Sequence, residues 1–158
     1  MALGGGCEVL LHCDAIVAHA ESYIGLVEAG VGIVPGWGGC KEMLLRAKAS
    51  GRIKKGPMPA VSQAFETIAM AKVSSSAYEA KDLLFLREND TIVMNRDRVL
   101  QTAKQRVLDL AQNYTAPEKA SISLPGETGV AALDIAVTAL QKRGLVSAHD
   151  HTIATQLA

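Results

Sequence analysis

The sequence predicts an α/β N-terminal third followed by a mostly helical remainder. Within the first forty residues, short apolar and β-branched runs are cut by clusters of glycine. From residue 57 onward, apolar residues recur at helical spacing between polar caps, the pattern of helices with one face turned to a core. The division falls between residues 1–56, a compact glycine-punctuated part, and residues 57–158, a helical region suited to subunit contacts. Apolar residues make up 49% of the chain and aromatics only 4%, so the core must be built mainly from aliphatic side chains and alanine. At 158 residues the chain is long enough to bury one.

Each element has its own signal. Gly4-Gly5-Gly6 runs into Cys7 and Glu8 and then Val9-Leu10-Leu11-His12-Cys13, which reads from Glu8 as a short buried helix with a carboxylate in its first turn. Asp14 to His19 reads as a strand with Ile16 and Val17 at its centre, and Glu21 to Leu26 as a second strand or extended segment. Glu28 opens a shaped loop through Gly30, Gly32, Pro35, Gly36, Gly38 and Gly39. Lys41 to Ala49 predicts a helix that stops near Ser50-Gly51. Arg52 to Pro59 is a basic connection. Ala60 to Val73 predicts an amphipathic helix with Val61, Ala64, Phe65, Ile68 and Ala69 on one face.

Ser76-Ala77-Tyr78-Glu79 is a capping box for a short helix to about Leu84. After a turn over 86–90, Thr91 to Met94 predicts a strand. Asn95 caps the clearest helix, which runs to about Asn113 with Val99, Ala103, Val107, Leu110 and Ala111 as its apolar stripe. Thr115 to Gly126 is a linker holding Pro117 and Pro125. Thr128 to Lys142 forms the next helix, with Gly144 suited to a left-handed cap. Ser147-Ala148-His149-Asp150 then resembles a second cap, for a final helix from about Asp150 to Leu157.

Charge and cysteine usage narrow the function classes. Sixteen basic residues balance sixteen acidic ones, so no overall field attracts nucleic acid or a membrane surface. Cys7, Cys13 and Cys40 form no disulfide pattern, which fits a reducing, cytoplasmic setting. No apolar run approaches the roughly 20 residues that span a bilayer, so no membrane insertion is expected. Cys7, His12, Cys13 and His19 lack zinc-ligand spacing, and His149 and His151 sit at an exposed-looking cap. No metal site is expected. Gly30-Val31-Gly32-Ile33-Val34-Pro35 lacks the third glycine and the strand–turn–helix setting of a dinucleotide fingerprint. The basic stretch Lys41, Arg46, Lys48, Arg52, Lys54 and Lys55 reads as a solvated face.

Two groupings have chemical potential. Gly4, Gly5 and Gly6 at a helix start can offer bare amides, with the helix dipole behind them, to a developing anion. The same glycines also suit a close-packed helix start that holds no ligand. Glu8 and Glu28 each adjoin a glycine-rich segment with an apolar flank. Two carboxylates in a dry cleft can divide acid and base roles, although spacing alone leaves open a dipole-favoured Glu8 and a solvated Glu28.

The stretch Ala2-Leu3-Gly4-Gly5-Gly6-Cys7-Glu8, with Asp14, Ile24-Gly25-Leu26-Val27-Glu28, and Gly32-Ile33-Val34-Pro35-Gly36 followed by Gly38-Gly39, resembles the signature of the crotonase (enoyl-CoA hydratase/isomerase) superfamily. The elements stand in the family's order and spacing over about forty residues. Ala64–Ala69, Met94–Arg98 and Leu124-Pro125-Gly126 are similar to the crotonase-like C-terminal region of bacterial 3-hydroxyacyl-CoA dehydrogenases. In those proteins an NAD-binding part comes first.

The resemblance implies the C-terminal part of a ClpP/crotonase-type ββα spiral in residues 1–56, with a helical region after it that often carries homo-oligomer contacts. It implies an acyl-CoA thioester substrate, catalytic roles for Glu8 and Glu28, and an oxyanion-hole amide at Gly5. Gly4, Gly6, Pro35 and Gly36 complete the substrate-binding set. It also implies that the preceding half of the fold, or a parent dehydrogenase domain, is this chain's partner, because that half supplies the other oxyanion amide and most CoA contacts. The chain is therefore expected to be a fragment of a fatty-acid β-oxidation enzyme that binds no cofactor itself, NAD belonging to the parent's dehydrogenase part. A stand-alone isomerase or hydrolase of the family, or a non-catalytic assembly domain, are the alternatives. Trp37 departs from the family, which places a small residue there.

Overall fold

The computed structural model describes all 158 residues. Its first strand, β1 (Ala2–Leu3), leads through Gly4 into helix α1 (Gly5–Leu11), followed by β2 (Val17–His19) and β3 (Ile24–Gly25). A 3-10 turn over Glu28–Val31 opens the glycine-rich loop, and α2 (Gly39–Ala49) closes it. Then come α3 (Pro59–Ala69), β4 (Val73–Ser74), α4 (Ala77–Asp82) and β5 (Thr91–Val93). A 3-10 turn at Arg96–Arg98 leads into α5 (Val99–Ala111), and α6 (Glu127–Lys142) and α7 (Ala148–Leu157) end the chain.

The strands are short and form two ladders. In the first, β1 lies parallel to β3, with Ala2 opposite Ile24 and Leu3 opposite Gly25. β4 runs antiparallel along the other side of β3. In the second, β2 and β5 pair in parallel, Ala18 opposite Ile92. The β3–β4 contact requires a glycine, because a Cβ on Gly25 would stand 2.6 Å from the Lys72 carbonyl oxygen. Ser74 reinforces the pairing with its side chain, Oγ accepting from Ile24 N–H at 3.1 Å.

This ladder corrects the expected helix over Ala60–Val73. The apolar stripe ends with Ile68 and Ala69, where the helix also ends; Ala71 turns with φ 45°, and Val73 joins the sheet. α4 likewise stops at Asp82, with Leu84 at φ 66°. Its box is shifted by one residue, Ser76 Oγ accepting from Glu79 N–H while the Glu79 carboxylate accepts from Ser75 N–H. α1 is buried on one side only, since Val9 is exposed.

The core gathers Cys7 and Leu11 of α1, Leu26, Met43 of α2, Ile68 of α3 and Phe85, all fully buried or nearly so. One charged group crosses it. Arg46, buried on α2, donates to the carbonyls of Leu11 at 3.0 Å and Phe85 at 3.1 Å. The Leu11 carbonyl ends α1 and the Phe85 carbonyl follows α4, so a single guanidinium ties α2 to both. The solvated basic face expected there therefore does not hold for Arg46. Arg52 does lie outside, paired with Asp82 and Glu88.

At the C-terminal end, Gly144 at φ 70° closes α6 in a Schellman arrangement, its N–H reaching the Gln141 carbonyl and Leu145 N–H the Leu140 carbonyl. Ser147 and Asp150 form a complete capping box on α7. The α6–α7 hairpin packs back through α7 onto α3 and onto the 3-10 turn at Glu28. α5, by contrast, fully buries none of its residues: Val99, Ala103 and Leu110 of its stripe are half-buried, and Val107, with Leu100 and Leu108 beside it, is exposed. No helix is long and apolar enough to cross a membrane.

Candidate active site

The glycine-rich segments at the two ends of the α/β part meet around α1. Gly4 takes φ 55° and ψ −127°, a conformation open to glycine, and its N–H donates to the Gly25 carbonyl at 3.0 Å. A Cβ at Gly4 would lie 3.5 Å from Oε1 of Glu28. The turn before α1 thus runs directly against the second carboxylate. Gly5 and Gly6 are exposed, with open space where a side chain would project. Their N–H groups open the helix and have no intrahelical acceptor.

Both glutamates are buried, Glu8 at 3% exposure and Glu28 at 9%. Glu8 is held tightly by the loop before α2. Its Oε1 accepts from Trp37 N–H at 2.8 Å and from Gly39 N–H at 2.9 Å. Glu28 differs, because its Oε2 is buried with no hydrogen-bond partner. A buried polar atom left open in this way is costly unless something else fills the role. The two carboxylates occupy one electrostatic neighbourhood. Burial first, then Glu28 and, more weakly, Glu8 push the Cys7 thiol up to about 12, Arg46 acting in the opposite direction. Burial and then chiefly Glu8, with Glu28 adding, push Cys40 up to about 11. Neither thiol is a nucleophile near neutral pH.

Among the remaining expected site residues, Pro35 is buried, whereas Gly36 is exposed with nothing within 4 Å of a Cβ position. Trp37 is 78% exposed, so its indole points away from the Glu8 carboxylate that its own amide binds. The stretch Gly30–Pro35 is a 3-10 turn running into irregular loop, and the next helix starts only at Gly39. That geometry does not fit a dinucleotide pyrophosphate cradle. An apolar hollow of about 350 Å³ begins at Cys40, one residue beyond the Glu8 contact, and is walled by Leu44, Val61, Phe65, Ile68 and Leu133.

Sequence reasoning missed two residues at or near this site. Arg46 reads in the sequence as one of a basic run, yet it falls three residues after Met43 and beside Ala47 on the buried face of α2. His149 is exposed at the cap as expected, but nothing in the sequence signals that its Nε2 lies 3.0 Å from the Gly32 carbonyl, 117 residues away.

The fold places the molecule in a class. The chain belongs to the crotonase (enoyl-CoA hydratase/isomerase) superfamily and carries the C-terminal part of that fold. A crystal structure of enoyl-CoA hydratase from Bacillus anthracis superposes with a TM-score of 0.52 at 26% identity, covering 98% of this chain and 48% of the hydratase. Among curated proteins, a probable 3-hydroxyacyl-CoA dehydrogenase of Bacillus subtilis is 45% identical over 159 residues, taking in 100% of this chain and 20% of that relative. A short-chain-enoyl-CoA hydratase of Clostridium acetobutylicum is 45% identical over 42 residues, or 27% of this chain. The chain thus spans about a fifth of the dehydrogenase it matches end to end. No protein-family model matches it.

Proposed function

We propose that this chain is part of a fatty-acid β-oxidation enzyme and contributes Glu8, Glu28 and the Gly4–Gly6 turn to an acyl-CoA site that hydrates trans-2-enoyl thioesters. The observation that carries the reading is the difference between the two buried carboxylates. One is fixed by two backbone amides, and the other has a buried oxygen with no protein partner. A water bridging the pair would satisfy that oxygen.

In the proposed reaction, the oxygen of this water attacks C3 and its proton passes to one carboxylate. The electron pair of the C2–C3 double bond moves toward the thioester carbonyl. Gly5 N–H, with Gly4 and Gly6 keeping the approach clear of side chains, supports the enolate-like oxygen, a contribution of about 3–4 kcal/mol for one such donor. A carboxylic acid of the pair then delivers a proton to C2, so that water is added across the bond. Pro35 and Gly36 shape the loop on the substrate side, and the apolar hollow beginning at Cys40 suits the acyl tail. The second oxyanion amide and the main CoA contacts belong to the partner half of the fold. NAD, in this reading, serves the dehydrogenase part of a longer protein and touches nothing in this chain.

The test is titration of the 158-residue chain, and separately of the chain combined with the preceding half of the relative's hydratase-like region, with a medium-chain enoyl-CoA. Binding is followed by calorimetry and hydration by loss of the enoyl absorbance. Turnover in the combined protein that disappears with Glu28→Gln is the expected result. Turnover that survives Glu28→Gln removes the two-carboxylate mechanism.

A second reading, assembly without catalysis, is supported by α5, which fully buries no residue and leaves Leu100, Val107 and Leu108 exposed. Light scattering that finds a stable homo-oligomer, with no enoyl-CoA bound by the combined protein, would favour it.

A further inference from the structure

We propose that His149 is a positioning residue, whose Nε2–H fixes the 3-10 turn at Glu28–Val31 and thereby makes the placement of Glu28 depend on the C-terminal hairpin. The consequence for catalysis rests on the reading of Glu28 given above; the mechanical link does not.

Glu8 is anchored through its own side chain, but Glu28 is not. With Oε2 unpartnered, the position of that carboxylate is inherited from the backbone of its turn. Three internal hydrogen bonds define the turn: Gly30 N–H to the Val27 carbonyl at 3.0 Å, Gly32 N–H to Ala29 at 3.1 Å, and Ile33 N–H to Glu28 at 3.1 Å. Such a short 3-10 segment is a weak element by itself. Its exit is the left-handed Gly32, φ 81°, and the carbonyl of that residue meets His149 Nε2 at 3.0 Å. A carbonyl only accepts, so Nε2 carries the hydrogen.

The contact is built into the local structure from both sides. A Cβ at position 32 would fall 2.7 Å from Nε2 and 3.0 Å from Cδ2 of the ring, so glycine at the cap is what admits the imidazole. On the other side, His149 lies in the first turn of α7, inside the Ser147–Asp150 capping box that fixes the helix start. Two residues later, His151 Nε2 lies 3.1 Å from Thr138 Oγ1 of α6. The donor is therefore presented by an element braced at its cap and against its neighbour. α6 and α7 act as a strut whose tip ends on the Glu28 turn.

The test uses amide hydrogen exchange, resolved by NMR, on the full chain and its His149→Leu and His149→Gln variants. Glutamine carries a donor near the Nε2 position and leucine carries none. The expected result is exchange at Gly30, Gly32 and Ile33 that is faster in His149→Leu by about three- to tenfold, the range for one lost hydrogen bond. Protection should return in His149→Gln, with α2 and α3 amides unchanged throughout. Unchanged exchange at the three turn amides in His149→Leu overturns the proposal. So does a general rise across α2 and α3 that glutamine fails to reverse, which would mark a purely structural residue. If the turn amides respond as expected while no variant hydrates enoyl-CoA, the positioning link stands and the hydratase reading fails.

Discussion

Gly39 N–H, at the first residue of α2, donates to Glu8 Oε1 at 2.9 Å, and the Cα of the same glycine faces that oxygen so closely that a Cβ would stand 3.0 Å from it. The same Cβ would also meet both Cδ atoms of Leu26 at 3.0 Å. Gly39→Ala is therefore expected to destabilise the fold by about 1–3 kcal/mol through overpacking. Urea unfolding followed by circular dichroism measures the loss, and a midpoint unchanged from the parent would contradict it.

Glu28→Gln keeps the shape of the side chain while removing its ability to take or give the proton. Because Oε2 has no protein partner to lose, the fold should be disturbed little. Hydration by the combined protein is expected to fall by about 10²–10⁴-fold, with the thermal midpoint within a few degrees of the parent.

Arg46→Met removes both donors that serve the buried Leu11 and Phe85 carbonyls. Methionine fills comparable space but satisfies neither oxygen, so a cost of about 2–5 kcal/mol is expected. Arg46→Lys should recover only part of it, since one ammonium cannot match the guanidinium's fork. Equal stability of the Met and Lys variants would show that the carbonyls find other donors.

The buried Cys7 thiol and the half-buried Cys40 thiol set an alkaline limit. The unfolded chain releases these protons near the ordinary cysteine value of 9.0, whereas in the native state Cys7 holds its proton to about 12 and Cys40 to about 11. Between those values the native state binds more protons than the unfolded one. The stability contributed by the neutral thiols is thus fully present below pH 9 and is lost as pH rises. Each thiol adds a slope of about −1.4 kcal/mol per pH unit within its window. Subtracting the profile of Cys7→Ala from that of the parent should leave this slope between pH 9 and 12, and a flat difference would refute it.

The sequence made the local structure legible and left much of the long-range structure hidden. Gly144, Ser147 and Ser76 mark helix ends through backbone chemistry confined to a few residues, and the structure places those ends where the caps predict. The expected crotonase-type fold is likewise present. Val73 carries a helical pattern in the sequence, but its strand exists only through pairing with Gly25, and no local pattern announces a partner 48 residues away. Glu8 and Glu28 each showed a glycine-rich, apolar setting, but only the family resemblance suggested that they belong together. Arg46 reads as one of a basic run, and its spacing from Met43 does not show that its guanidinium reaches the Leu11 and Phe85 carbonyls. For α5, the apolar stripe was plain in the sequence, whereas how little of it is buried is a property of the assembled chain.

The grip on Glu8 has a consequence for how this loop can diverge. The loop holds the carboxylate through the main-chain N–H of residue 37, a group that every amino acid except proline provides. The indole itself projects into solvent. Position 37 is thereby freed from the chemistry it supports, and its side chain can be exchanged to suit whatever adjoins the loop without moving the acid beneath it. Proline is the one substitution that would cut the link.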